Sequence, residues 1–177
     1  MQRKLTWLML LSAAIVVTAL YTRNVLATPA SGFVGTTLAK GTFGEIDVFN
    51  HLISPNSGQE EREKNIWLSL QKTKGLSDLY VQSNNWVPGG STGWHSHPGH
   101  SLIIVTAGAV TAYEGNDPEC KPTVYTQGMG FVDPGGEHVH ILRNEGTVNA
   151  TTIAVQLIPA GATRRIDAAN PGHCRSF

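Results

Sequence analysis

The chain has 177 residues and a formal net charge of zero, enough for one domain with a real core. There is no basic stripe, which argues against nucleic acid as a partner. Nineteen glycines beside only 15% charged residues suit a turn-rich β fold better than a helical bundle.

Arg3 and Lys4 precede an apolar run over residues 5–21, and small residues follow at Val25, Ala27 and Ala30. Charged, apolar, then small is the order of a secretory signal. The reading is a signal segment over residues 1–27, cut after Ala27, followed by one domain over residues 28–177 that is periplasmic or secreted. The alternative is an uncut anchor, the one case in which the protein would contact a membrane. The apolar run is slightly short for a full span. Removing residues 1–27 takes away Arg3, Lys4 and Arg23 and no acid, so the remainder is mildly acidic.

From Gly32 onward, short β runs alternate with turn residues. Residues 36–39 read as a strand, Lys40-Gly41 as a turn, and residues 43–49 as the next strand. Residues 54–65 are loop-like, and the Glu60-Glu61-Arg62-Glu63-Lys64 run reads as a solvated face. Strands are expected over residues 66–72 and 78–87, the latter ended by Pro88-Gly89-Gly90. Further strands are expected over residues 102–105, 110–113, 123–125, 131–132, 139–142 and 151–158. No stretch after the signal has a helical period. The fold class is all-β, a sandwich, jelly roll or barrel. Cys120 and Cys174 are the only cysteines. In an oxidising compartment they are expected to pair, closing a loop worth about 4 kcal/mol by the chain-entropy model. A metal or redox pair is the alternative, but there is no C-x-x-C.

Five of the seven histidines fall in two clusters. The first is Gly93-Trp94-His95-Ser96-His97-Pro98-Gly99-His100, and the second is Gly135-Gly136-Glu137-His138-Val139-His140. Residues two apart in a strand face the same side. His95 and His97 therefore point together, as do His138 and His140, and imidazole is the commonest metal ligand. His51 and His173 read as surface residues. Trp94 has the parity opposite to His95 and should pack away from the metal.

At this point the chain resembles the cupin superfamily. Residues 89–108 are similar to its first motif, a glycine, then H-x-H, then an acidic residue, then glycine. Residues 128–144 are similar to its second: Gly128, Pro134, Gly136, His140, Asn144. The resemblance implies a jelly-roll barrel of six to eight strands, with the motifs inside residues 89–144. It also implies one divalent metal ion, Fe, Mn, Zn or Ni, held by His95, His97 and His140. Ser101 stands where the family usually has a ligand glutamate, and the second motif has one residue more than usual between Gly136 and His140. His100 is therefore a candidate fourth ligand, and His138 an alternative to His140. Ser101, Glu137 and Asn144 are expected just behind the ligands. Asp133 and Glu114 are the other nearby acids, and Asp133, before Pro134, reads mainly as a turn residue.

A site of neutral imidazoles leaves the metal its full charge and should favour an anionic small molecule. Three-histidine cupins include thiol dioxygenases that use iron. The resemblance thus points to a dioxygenase-like oxidoreductase. The alternative is a non-catalytic exported protein that binds or senses a small molecule or metal. Small cupins often dimerise, so a homodimer is a further expectation of the resemblance. No Ser-His-Asp order or glycine elbow suggests a hydrolase.

Overall fold

The structure is a computed structural model that describes residues 27–55 and 64–174. The expected signal segment up to residue 26 and the acidic stretch 60–63 lie outside the described residues. Twelve strands follow in order: β1 (Ser31–Phe43), β2 (Asp47–Pro55), β3 (Lys64–Lys72), β4 (Ser77–Ser91), β5 (His95–Ser96), β6 (Ser101–Ala107), β7 (Ala109–Glu114), β8 (Thr123–Thr126), β9 (Gly130–Asp133), β10 (His140–Arg143), β11 (Ala150–Pro159) and β12 (Ile166–Asp167). There is no helix among the described residues. Ten strands form one antiparallel sheet, in the order β12-β5-β10-β4-β11-β6-β9, with β1 added on β4, β7 on β10 and β8 on β7. It curls into a nearly closed barrel. β2 and β3 form a separate two-stranded hairpin.

Period-two patterning builds the barrel wall. Along β6, Ser101, Ile103 and Val105 are buried while Leu102 and Ile104 are exposed. The inner lining changes character along the strands. One end is apolar: Trp86, Val105, Val110, Ala112, Leu142 and Ala150 pack together, with Phe33, Tyr125 and Phe131 against them. Further along, the inward residues of β4 and β11 are Gln82, Asn84, Thr152 and Gln156. They are tolerated inside because they bond one another and their neighbours, as Asn84 Nδ2 does in donating to Thr152 Oγ1 at 3.1 Å. This polar end is where the histidines lie.

Two turn expectations are corrected. Lys40-Gly41 is not a turn: β1 runs through it, pairing Lys40 with Tyr80 and Gly41 with Leu79. The uninterrupted edge of the 15-residue β4 overrides the local turn signal, and the irregularity is only a register shift between Thr37 and Ala39. Nor does Pro88-Gly89-Gly90 end β4. The Gly89 amide donates to the Asn144 carbonyl, and the Asn144 amide donates to the Gly90 carbonyl, so this stretch pairs with the chain beyond β10. The two-residue strands β5 and β12 were not foreseen, being too short for any periodicity to register.

A strap closes the structure. After β11 the chain runs back across the barrel to β12, which pairs with β5, and then to Cys174, which is bonded to Cys120 as expected. Beneath the disulfide lies a second core of Trp94, Tyr113, Ile141 and Cys174. The closed loop is 54 residues, and loops of that length stabilise by about 4 kcal/mol in the chain-entropy model. The double substitution C120S/C174S should lower unfolding free energy in urea by about 2–4 kcal/mol and red-shift the emission of Trp94. An unchanged midpoint and unchanged emission would show that the strap holds without its bridge.

Candidate metal centre

β5 is held on both edges. His140 of β10 pairs with His95 on one side, and Asp167 of β12 pairs with it on the other. This register faces His95 to His140, with ring centroids 4.4 Å apart. His97, two residues on, joins them at 4.8 Å from His95 and 5.6 Å from His140. Each ring offers one nitrogen within 4.8 Å of the others. His95 and His140 are buried and His97 is half-buried.

The tautomers follow from the carbonyls. His95 Nδ1 lies 2.8 Å from the Gly93 carbonyl, His97 Nδ1 lies 2.5 Å from that of Arg164, and His140 Nδ1 lies 3.4 Å from that of His138. A carbonyl can only accept, so Nδ1 carries the proton in each ring and Nε2 keeps a lone pair, as metal ligation requires. Burial keeps the His95 and His140 rings neutral. It pushes His95 down to about 2, helped by the charges of His140, Arg165 and His97. Burial also lowers His140, against the opposing pull of Asp133.

The first motif lacks a carboxylate, and the neighbouring strand supplies one. Asp133 of β9 is paired directly across from Ser101 of β6. Its side chain is 4% exposed. Oδ1 accepts from the Gly135 amide at 2.9 Å, the expected turn bond. Oδ2 is buried with no hydrogen-bond partner among the described residues, 3.7 Å from His97 Nε2. A buried carboxylate oxygen without a donor is costly unless a cation satisfies it. Three Nε2 lone pairs and this orphan oxygen form a donor set that fits a divalent metal ion.

The other expected site residues sort by position. His140 joins His95 and His97. His138 stands beside them, with Nδ1 3.8 Å from Asp133 Oδ1 and Nε2 2.7 Å from Glu114 Oε2. Asp133, His138 and His140 make a second potential metal-holding group. Burial raises the Glu114 carboxyl, while His138 draws it down.

Ser101 lines the cavity. His100 does not reach the three imidazoles: it lines a separate hollow with Leu70, Lys72, Leu76 and Pro159. The turn before it is pressed against β11, where a Cβ on Gly99 would lie 2.2 Å from the Leu157 carbonyl. Glu137 is also misplaced by the sequence reading, being exposed on an outer hollow with Asn116 and Val139. Asn144 is buried but faces the backbone. Its Nδ2 donates to the carbonyls of Trp86 and Val148, and its Oδ1 accepts from Gly146. It therefore shapes a turn and does not touch the imidazoles. Trp94 packs away under the disulfide, and His51 and His173 are exposed.

The imidazoles open onto a cavity of about 290 Å³, with Phe33, Trp86, Ile103 and Leu142 among its apolar walls. Gln82, Asn84, Gln156, Arg164 and Arg165 supply polar groups. None of these five belongs to a motif, and only long-range pairing brings them here.

A jelly-roll barrel with clustered histidines at its polar end is the class of protein this geometry defines. Residues 85–156 match the family described as "Cupin domain". No curated protein matches. Among solved structures, the chain is similar to a conserved protein of unknown function from Streptococcus pyogenes (19% identity, 47% of this chain and 67% of that one, TM-score 0.40). It is also similar to a cupin superfamily protein from Desulfitobacterium hafniense (10% identity, 75% and 84%, TM-score 0.43). A third similarity is to an oxalate oxidase (22% identity, TM-score 0.39), which matches 46% of this chain and 46% of its own length.

The lowered His95 value sets a pH dependence. Below 6.5 the unfolded chain takes up a proton that folded His95 refuses until about pH 2. Stability is therefore full above 6.5 and falls as the pH drops, by about 1.4 kcal/mol per pH unit for this group. Metal-free protein should lose unfolding free energy steadily from pH 6.5 to 4.5, and H95N should flatten that slope. A wild-type slope of zero over this window would contradict the burial argument.

Proposed function

We propose that this protein is a metal-dependent cupin that binds one divalent ion on His95, His97 and His140 with Asp133 beside them. We further propose that it acts as a dioxygenase-like oxidoreductase on a small molecule. The observation that supports the reading is the set of three carbonyl-anchored imidazoles facing an orphan buried carboxylate oxygen. A redox-active ion bound there would supply the electron-transfer chemistry. The chain's own groups do the rest. Backbone carbonyls fix the ligand tautomers, and the apolar lining keeps bulk water from one side of the cavity. Ser101, buried beside Asp133, is placed to hold a water or ligand oxygen. The disulfide fits an oxidising compartment. Together with the N-terminal charged-then-apolar segment it supports export.

Elemental analysis of the full chain, exported by its host so that the cysteines oxidise, tests this. The expected result is close to one equivalent of a divalent metal. H97A should bring that to background, and D133N should weaken metal affinity by about tenfold or more. Iron with oxygen consumption on a substrate panel would support the oxidoreductase. Stoichiometric zinc without oxygen consumption would favour a capture protein. No metal after reconstitution would overturn the reading.

A further inference from the structure

Two guanidinium groups, Arg164 and Arg165, line the same cavity as the imidazoles. They stand side by side in the strap, yet they differ in how far they are satisfied. Arg164 uses every nitrogen: Nε donates to Gln156 Oε1 at 3.0 Å, Nη1 to Thr37 Oγ1 at 3.0 Å and Nη2 to Gln82 Oε1 at 2.7 Å. It also lies over the Tyr80 ring at 4.0 Å. Arg165 donates from Nε to Asp167 Oδ1 at 2.5 Å, but its Nη2 is buried with no partner among the described residues. A buried charged donor is held without an acceptor only where something else supplies one.

The charge around the cavity agrees. Its ionisable lining is His95, His97, His140, Asp133, Arg164 and Arg165. Asp133, and Asp167 paired with Arg165, balance the two guanidinium groups, and a bound divalent ion would leave the cavity net positive. The contacts that hold Arg164 are all neutral, so its charge is not cancelled locally. Guanidinium recognises planar carboxylates through parallel donors. A cavity of about 290 Å³ with Phe33, Ile103 and Leu142 in its wall leaves space for a short aliphatic body.

We propose that Arg165 anchors the ligand of this cavity, and that the ligand is a small organic carboxylate one of whose oxygens accepts from the free Nη2. This deepens the metal-centre reading by naming its substrate class, but the anchor itself needs no metal. Arg165 is a binding residue here; no chemical step is assigned to it.

The test is calorimetric titration of propionate and of its neutral isostere propionamide into the full-length exported protein, both metal-stripped and zinc-loaded. Propionate should bind about tenfold or more tightly than propionamide in both states. R165Q should erase that preference while zinc content stays at the wild-type level, and R165K should keep part of it as a point charge. Equal affinity for the two compounds in the wild type overturns the proposal, as does a preference that survives R165Q. If R165Q does not fold, the wild-type comparison and R165K decide. A wild type that prefers propionate but takes up no metal keeps the anchor and removes the metal-centre reading. One that binds zinc stoichiometrically without the preference does the reverse.

Discussion

The strand that carries His95 is two residues long and would hold no shape by itself, because so short a segment cannot offset its own ordering entropy. It is fixed because it is paired on both edges, to β10 and to β12. Beside it the Ala168 amide donates to the Trp94 carbonyl at 2.9 Å, and the Arg164 carbonyl holds the His97 ring. Three of these four contacts come from the strap. The apposition of His95, His97 and His140 is therefore a property of the chain's C-terminal return at least as much as of the barrel. The N-terminal side contributes too: Thr28 Oγ1 accepts from the Trp94 amide at 2.7 Å, and its own amide donates to the Ala168 carbonyl.

The barrel interior changes from apolar to polar along its strands, and even at the apolar end Trp86 Nε1 has no hydrogen-bond partner among the described residues. At the apolar end, Trp86 and its neighbours contribute roughly 1.5–3 kcal/mol for each large side chain buried. In the middle, inward polar residues bond in pairs and chains. At the histidine end, buried polar atoms are left over: Asp133 Oδ2, Arg165 Nη2 and His138 Nδ1 have no hydrogen-bond partner among the described residues. Unmatched buried groups are rare in folded proteins and collect where a ligand completes them. One orphan is an acceptor and one a cationic donor, so a single cation cannot satisfy both. That asymmetry is why a metal ion and an anionic organic ligand are separate readings of the same cavity.

The histidine cluster was legible because two local rules coincide on it. Strand parity puts His95 with His97, and the turn glycines fix where each pair begins. Gly135, at φ 72°, lies so close to Gly99 that a Cβ there would sit 2.4 Å from the Gly99 carbonyl carbon. The glycines of the two motifs thus press one histidine turn against the other. The disulfide was legible from compartment chemistry, and most strands from alternation. Asp133 was read mainly as a turn residue because its approach to the imidazoles depends on β6–β9 register, which no local pattern encodes. Arg164 and Arg165 carry no motif at all and reach the cavity only through the strap. Lys40-Gly41 and Pro88-Gly89-Gly90 look like turns until a long neighbouring strand, or the chain beyond β10, offers them partners. His100 and Glu137 were expected near the ligands on sequence proximity alone, and backbone direction carries both away.

The strap also ties the histidine cluster to the far end of the chain. His97 is positioned by a carbonyl 67 residues downstream, a separation like that of the β4–β11 pairs of the wall, such as Trp86 with Ala150. None of the main strand pairs of the barrel wall needs residues beyond β11, whereas the His97 ring does. The apposition of the three imidazoles therefore depends on the docking of the last stretch of chain, the same stretch that brings Cys174 to Cys120. An ion offered to a partly folded chain meets scattered histidines, whereas one offered to the finished barrel meets a set.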